Sequence, residues 1–374
     1  MTADVIVLGL GGMGSAAASA LARRGAKVLG FEQYPFVHHR GSSHGHTRII
    51  RTAYYEHPAY VPLVRRAFTL WHELEQRTGR HLLTACPCLN IGAADSEVVT
   101  GVRAAAAEHH LAVETLSATE MERRFPAFRL PADAVGVLEF ASGFLYVEDC
   151  VRAHLDDAVA HGAELYAETP VISWKSVGNS VEVTTATGTH TAAKLVVTAG
   201  GWATRLLADI GVPLTVMRQV LQWFDPGPAL SDFARDRFPI FLLDTPGGAY
   251  YGLPAIDRRG VKVARHYGAP EVPSPDAISR DVTPADIAPV AAFLAAHLPT
   301  AGRPSAAEVC LYTLTPDRHF VIDVHPAYPN VTVACGFSGH GFKFAPTVGE
   351  VLADLTLAGK TEHPIGLFRA GRFE

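Results

Sequence analysis

Apolar and polar positions follow two periods along this chain, and a few runs carry no polar face at all. After Asp4, the run "VIVLG" over residues 4–9 is continuously apolar, which predicts a parallel strand buried on both faces. A helix follows to about Arg24, then a second strand, "KVLGFE". Residues 58–78 put Val64, Phe68, Trp71 and Leu74 at helical spacing, an amphipathic helix lying on a core. From 84 to 146 the pattern is mixed, with a strand near "CLNIG", a helix near 95–110 and a strand at "VGVLEF". A helix at 148–162 and strands near 165, 172 and 182 come next, ending in "AAKLVVTAGGWATRLL" as strand, glycine turn and helix. Residues 215–224, 238–243, 248–253 and 260–265 read as strands joined by turns, an antiparallel sheet. A helix at 283–297, the strand "AEVCLYTL" and a strand into Gly336 precede a last helix opening near Pro346.

The α/β pieces bracket two β-rich insertions. The expected fold is mixed α/β: a discontinuous Rossmann-like nucleotide domain of residues 1–82, 148–214 and 318–374. Residues 83–147 and 215–317 form a second domain on the antiparallel sheet. A chain of 374 residues exceeds the size at which one core usually divides. With 48% hydrophobic and 18% charged residues it reads as an ordinary globular protein. Net charge is −5 and no basic stripe appears, so nucleic acid is not an expected partner. The N-terminus reads as strand, turn and helix rather than a leader, and no run of 18 apolar residues predicts a membrane span. Five cysteines, an odd number in a long chain, fit a reducing, cytoplasmic location. Cys86-Pro-Cys88 has the look of a metal or redox pair, but no second pair supports it, and two buried small residues are the expected reading; no metal is predicted.

Chemistry enters at "VIVLGLGGMGSAAASAL". Gly9, Gly11 and Gly14 have the GxGxxG spacing between a strand and a helix: a tight turn, close backbone approach to a pyrophosphate, and close packing of helix on strand. Glu32 ends the next strand, placed to accept from a ribose hydroxyl and to repel a 2′-phosphate. FAD or NAD is therefore favoured over NADP, and the choice between those two stays open at this point. Of 32 basic residues only six are lysine, yet Lys262 and Lys343 sit in the apolar strings "GVKVAR" and "GFKFA". A compact cation there points at something small, unless the stem snorkels to water. "RGSSHGHTRIIR" brings Arg40, His44, His46, Arg48 and Arg51 together without an acid, a segment able to lay two guanidinium groups over an anion. "CGFSGHGFKFAPTVG" puts Gly339, Gly341 and Lys343 just before a helix N-terminus, where backbone can come close to a ligand and the helix favours negative charge.

Taken in order, "GLGGMG", "GSSHGHTRIIR", "YYGLP", "VKVARH", "EVCLYTLTPDRHFVIDVHP" and "GFSGHGFKF" resemble the monomeric sarcosine oxidase family of flavoproteins, which includes N-methyltryptophan and pipecolate-type oxidases. The resemblance runs nearly end to end and implies FAD rather than NAD. It implies a monomer that uses dioxygen to oxidise an N-methyl or other secondary amino acid to an imine. The imine then hydrolyses to formaldehyde and a primary amine, with hydrogen peroxide as by-product. An N-methyltryptophan or cyclic imino acid oxidase is the alternative in the class; an NAD-dependent dehydrogenase and a non-catalytic flavin-binding protein stand outside it. By the same resemblance Cys310 matches the cysteine bonded covalently to flavin, and Lys262 and His266 match a lysine near flavin N5 and its neighbouring histidine. Arg51 and Lys343 match a pair that holds the substrate carboxylate, while Arg48, His44, Tyr251 and Tyr312 match residues around flavin and substrate. His46 replaces an aspartate of the family, Leu242 a methionine, and Cys86-Pro87-Cys88 a more glycine-like stretch.

Overall fold

The computed structural model describes residues 3–373. Its first sheet has eight strands, and its core is parallel. Glu164–Tyr166, Val28–Phe31, Ala3–Leu8, Gly188–Val197 and Tyr328–Cys335 lie side by side in that order. Leu8 pairs with Phe31 on one side and Val197 on the other, so these strands end level. Gly9, Glu32 and Thr198, the residues just past each end, therefore share one rim. Carboxyl rims of parallel sheets are where such folds bind ligands. The hairpin Val171–Val177/Ser180–Thr185 and the strand Val321–His325 extend the sheet antiparallel.

The Gly12–Arg23, Val147–Ala160 and Ala345–Ala358 helices cover one face of this sheet, with Val61–Thr78 packed outside them. The expected helix over 58–78 begins as a 3₁₀ turn, Pro58–Tyr60, before the α-helix takes over. The last helix likewise opens through a 3₁₀ turn, Phe342–Phe344, with Pro346 in its first α-turn, where a missing N–H costs nothing.

A nine-stranded sheet forms the second layer, from strands within residues 88–139 and 215–314. The four strands expected between 215 and 265 are present, but the sheet is mixed rather than antiparallel: Ile240–Thr245 runs parallel to Cys88–Gly92. The two segments are distant in sequence, so no hairpin rule fixes their sense. Thr47–Arg51, for which the pattern predicts no element, is a strand in a small third sheet with Ser142–Tyr146 and Leu83–Ala85. This three-stranded sheet bridges the two large ones.

Trp71 ties the helical layer to the turn before the last helix. Fully buried, it donates from Nε1 to the Lys343 carbonyl at 2.9 Å and stacks on Phe342. Trp71→Phe keeps the ring stacking but orphans that carbonyl, which costs about 1–3 kcal/mol. Denaturant unfolding should show a loss in that range; an unchanged midpoint would mean that water replaces the indole.

Candidate active site

Two cavities meet at the seam between the sheets. The first runs along the carboxyl rim of the parallel strands, with about 1380 Å³ of empty space, part of it open to solvent. Gly9–Met13, Glu32, Thr198–Gly200 and Trp202 line one end, Arg48, Tyr312, Gly339 and Phe342 the other. Its geometry passes a test for a dinucleotide. At Gly14 an added Cβ would sit 1.7 Å from the Gly9 carbonyl oxygen, so only glycine lets the helix start this close to the strand. Gly9 has φ +83°, the left-handed turn that glycine tolerates. At Gly11, by contrast, an added Cβ would meet nothing nearer than Ser43 Oγ at 3.6 Å, so the space before the helix is free for a ligand.

Glu32 is buried on the rim, and its carboxylate accepts from the Leu10 and Tyr34 amides at 2.9 and 3.2 Å. Those bonds fix its orientation toward the cleft it lines. Gly339 and Gly341 also line the cleft, but what crowds them is protein. Cβ atoms there would lie 2.3 Å from the Tyr312 ring and 2.4 Å from Phe337. The glycines of this turn thus make room for two aromatic rings of the chain itself, in addition to lining the cleft.

The second cavity adjoins the first and shares Arg48, Tyr312, Gly339 and Phe342 with it. Arg51, Tyr55, Glu56, Cys88, Leu242, Tyr251, His266, His340 and Lys343 complete its wall, around about 660 Å³ of empty space. Arg51 donates to both oxygens of Glu56, at 2.8 and 2.6 Å, and to the Ala53 carbonyl, with Tyr54 and Tyr55 stacked on its guanidinium. Burial opposes ionisation of Glu56, but Arg51, His340 and Lys343 together pull its pKa down to about 2. Lys343 Nζ donates to the His340 carbonyl at 2.6 Å and the Tyr54 hydroxyl at 3.2 Å. Burial, then the nearby Arg51 charge, lowers its pKa to about 7. Burial likewise brings His266 to about 3, so it is neutral, and its Nδ1 lies 3.3 Å from the Tyr312 hydroxyl. Cations outnumber carboxylates on this wall. The arrangement can hold one small anion beside the cofactor cleft.

Arg48 and Arg51 both line the second cavity but share no partner. An odd separation on the Thr47–Arg51 strand sends them to opposite faces. Arg48 donates to the Thr47 and Ser42 carbonyls and to Cys310 Sγ at 3.4 Å, while Arg51 takes Glu56. Lys262 also lies off both linings: its buried amine donates to the Gly45 and Thr47 carbonyls at 2.7 and 2.9 Å and faces Trp223. His44 is buried next to Cys310 and Glu308, and Tyr251 is on the second cavity's wall. Cys86 and Cys88 are free and buried, with thiols pushed up by burial, so they are packing residues, and Cys88 contributes its side to the second cavity. Tyr54, Glu56, His340 and Glu308 escaped the sequence reading. Only the spacing of Glu56 five residues after Arg51, in a stretch otherwise without acids, signals the first pair.

Comparison with known proteins agrees with this geometry. The model of the FAD dependent oxidoreductase family (DAO) matches residues 4–355. A monomeric sarcosine oxidase of Streptomyces avermitilis is 46% identical over 98% of this chain and 97% of its own. An N-methyl-L-tryptophan oxidase of Yersinia pestis is 36% identical, with both chains covered in full. Among solved structures, the open form of NikD, an amino acid oxidase of nikkomycin biosynthesis, superposes with a TM-score of 0.86 at 27% identity, over 98% of this chain and 97% of that one. No helix among the described residues is long and apolar enough to cross a membrane.

Because a side chain at position 14 cannot coexist with the Gly9 carbonyl, Gly14→Val should yield folded protein without the flavin absorbance of the parent. A variant that still carries one flavin per chain would show that the turn can open. By sequence, by fold and by this cleft, the chain belongs to the FAD-dependent oxidoreductase family.

Proposed function

We propose that this chain is an FAD-dependent oxidase acting on the CH–NH group of N-methyl amino acids, with sarcosine or a close relative as first substrate. The observation that carries this reading is the second cavity: an aromatic-walled space that opens onto the cofactor cleft and bears more positive than negative charge. A small amino acid brings one carboxylate to that wall and its C–H bond toward the cleft. The names of the most similar relatives support the same substrate class.

FAD held in the cleft by the Gly9–Gly14 turn and Glu32 would supply a two-electron acceptor for the C–H bond beside the amine, with dioxygen as the final acceptor. The residues of the chain do the rest. Arg51 and Lys343 bind the carboxylate, and their charges favour loss of the amine proton, which frees the nitrogen lone pair. His266 and Tyr312 stay neutral through burial and form the polar side of the pocket, with Tyr251 beside them. Leu242 and Cys88 bound the space left for a side chain. Lys262, fixed by two carbonyls, is assigned to the oxygen half of the reaction on the strength of the resemblance. Arg48, His44 and Cys310 form the edge at which flavin is bonded covalently, through Cys310. Water hydrolyses the released imine to formaldehyde and the primary amine.

We further propose a division at the sheets, with 1–82, 148–214 and 318–374 binding FAD and 83–147 and 215–317 shaping the substrate site. The strand membership of the two large sheets supports it. A cytoplasmic monomer is proposed with it, in keeping with five free buried cysteines.

An anaerobic screen of secondary amino acids, read by loss of flavin absorbance, tests the reading; no bleaching by any of them would overturn it. Arg51→Ala and Lys343→Ala should each weaken substrate saturation roughly tenfold to a hundredfold, since a charge-assisted bond is worth ~1.5–3 kcal/mol. Lys343 also sets a pH dependence. Its charge is present below about 7 and is lost above, so affinity for a simple aliphatic carboxylate should fall as pH rises through 7. The fall should approach about tenfold per pH unit and vanish in Lys343→Met; a limb that persists there belongs to another group. Acid precipitation should leave the yellow colour on a peptide containing Cys310, and colour released wholly to the supernatant would end the covalent assignment.

A further inference from the structure

Cys310, His44 and Glu308 lie together behind the lining of the cofactor cleft, which their chain neighbours Ser43 and Leu311 reach. Glu308 and Cys310 are two residues apart on the Arg303–Leu314 strand, so both side chains leave the same face. His44, 1% exposed, places Nδ1 3.3 Å from Glu308 Oε2. Its other ring nitrogen is buried without a close hydrogen-bond partner among the described residues, and it acts on the Cys310 sulfur first as a long hydrogen bond and then as a charge. On the far side the sulfur accepts from Arg48 Nη2 at 3.4 Å.

Burial alone makes a thiol reluctant to ionise, and so it does for Cys86, Cys88, Cys150 and Cys335, all pushed upward. Cys310 is as deeply buried but goes the other way. Burial raises it, and His44, Arg48 and Lys262 overcome that and bring it down to about 7. His44 mirrors the shift: burial lowers it, and Cys310 and Glu308 lift it to about 9. The two behave as a thiolate–imidazolium pair. His39 also brings a ring nitrogen within 4.8 Å of the His44 and Glu308 ligand atoms, but an imidazolium has no lone pair for a metal, so hydrogen bonding accounts for the trio better than coordination does.

We propose that Glu308 is a positioning residue that holds His44 as the cation beside Cys310, and so keeps the sulfur in the form that attacks flavin. This rests on the covalent reading given above. The thiol proton resides on His44, and the sulfur forms one C–S bond to the 8α carbon. That carbon gives up a proton, and the electron pair of its C–H bond reduces the ring system by two electrons. Dioxygen, already the acceptor in the proposed reaction, takes them up as peroxide.

The remaining charges around the thiol do not duplicate this role. Arg48, Lys262 and Arg280 are cations that act on the sulfur directly. Tyr251 and Tyr312 meet it as phenols, their ionisation pushed up by burial. Glu148 is taken up by the Gly45 and His46 amides, and His46 Nε2 stands 3.7 Å from the other Glu308 oxygen. Glu308 is therefore the carboxylate that His44 leans on.

The test uses full-length chain from riboflavin-limited cells, labelled with iodoacetamide across pH and mapped by peptide mass. Wild-type Cys310 should label with a midpoint near 7, the other four cysteines far more slowly. In Glu308→Gln the midpoint should rise by about one unit, slowing labelling at neutral pH by about fivefold to tenfold, and Glu308→Asp should recover part of it. Covalent flavin incorporation after adding FAD should slow in step, with unchanged FAD fluorescence quenching and melting temperature. A Glu308→Gln chain whose Cys310 labels with the wild-type pH profile overturns the assignment. Wild-type protein that gives up all its flavin to acid overturns the covalent reading instead, and the labelling arm still decides what Glu308 does to the thiol.

Discussion

Four cations, Arg48, Arg51, Lys262 and Lys343, are taken out of bulk water at the seam between the two large sheets, and the rest of the site is arranged around that cost. Uncompensated, each would be prohibitive. The chain compensates them in different ways. Arg51 receives a bidentate carboxylate from Glu56, and Arg48 two carbonyls and a sulfur. Lys262 receives the Gly45 and Thr47 carbonyls, which closes the loop between the helical layer and the second sheet. Lys343 receives only a carbonyl and a phenol and is lowered by burial to about 7; burial also holds Lys262 well below the usual lysine range, but of these two lysines only Lys343 lines a cavity. The least satisfied cation is the one left to receive a ligand.

This view also separates neighbours that look equivalent in sequence. Arg48 and Arg51 are three residues apart, and strand geometry sends one toward Cys310 and the other toward Glu56. The first meets a sulfur, the second a carboxylate. A helix in this segment would have put both on one face.

The parallel core was legible because its signals are local. A strand buried on both faces is a continuous apolar run, and the local spacing of Gly9, Gly11 and Gly14 is visible in the sequence: Gly9 takes a left-handed turn and Gly14 packs on the Gly9 carbonyl, while Gly11 leaves open space. The longer helices were legible to within a few residues for the same reason, whereas the seven-residue helix Ala118–Arg124 was not. What the pattern could not convey were pairings between distant segments: the parallel match of Ile240–Thr245 with Cys88–Gly92, and the short strand Thr47–Arg51, whose polar sequence acquires a partner only at Ser142–Tyr146. The site divides likewise. Residues within the motifs of the resemblance were named, but Tyr54, Glu56, His340 and Glu308 function as partners of those residues. Partnership across more than two hundred positions, as between Glu308 and His44, leaves no mark on periodicity.

The order of strands in the first sheet has a consequence for biosynthesis. The strand Gly188–Val197 is flanked in the parallel core by Ala3–Leu8 from the start of the chain and by Tyr328–Cys335 from near its end. Between them the polypeptide leaves twice to build the other sheet. A growing chain can make the Ala3–Leu8 strand, glycine turn and helix early, but it cannot close the rim until Tyr328–Cys335 has been synthesised. Apolar strand edges stay open meanwhile, a condition that favours slow, assisted folding and exposes the chain to misassociation. A flavin can therefore meet a finished cleft only once Tyr328–Cys335 has joined the rim, so cofactor binding comes late in the order of assembly.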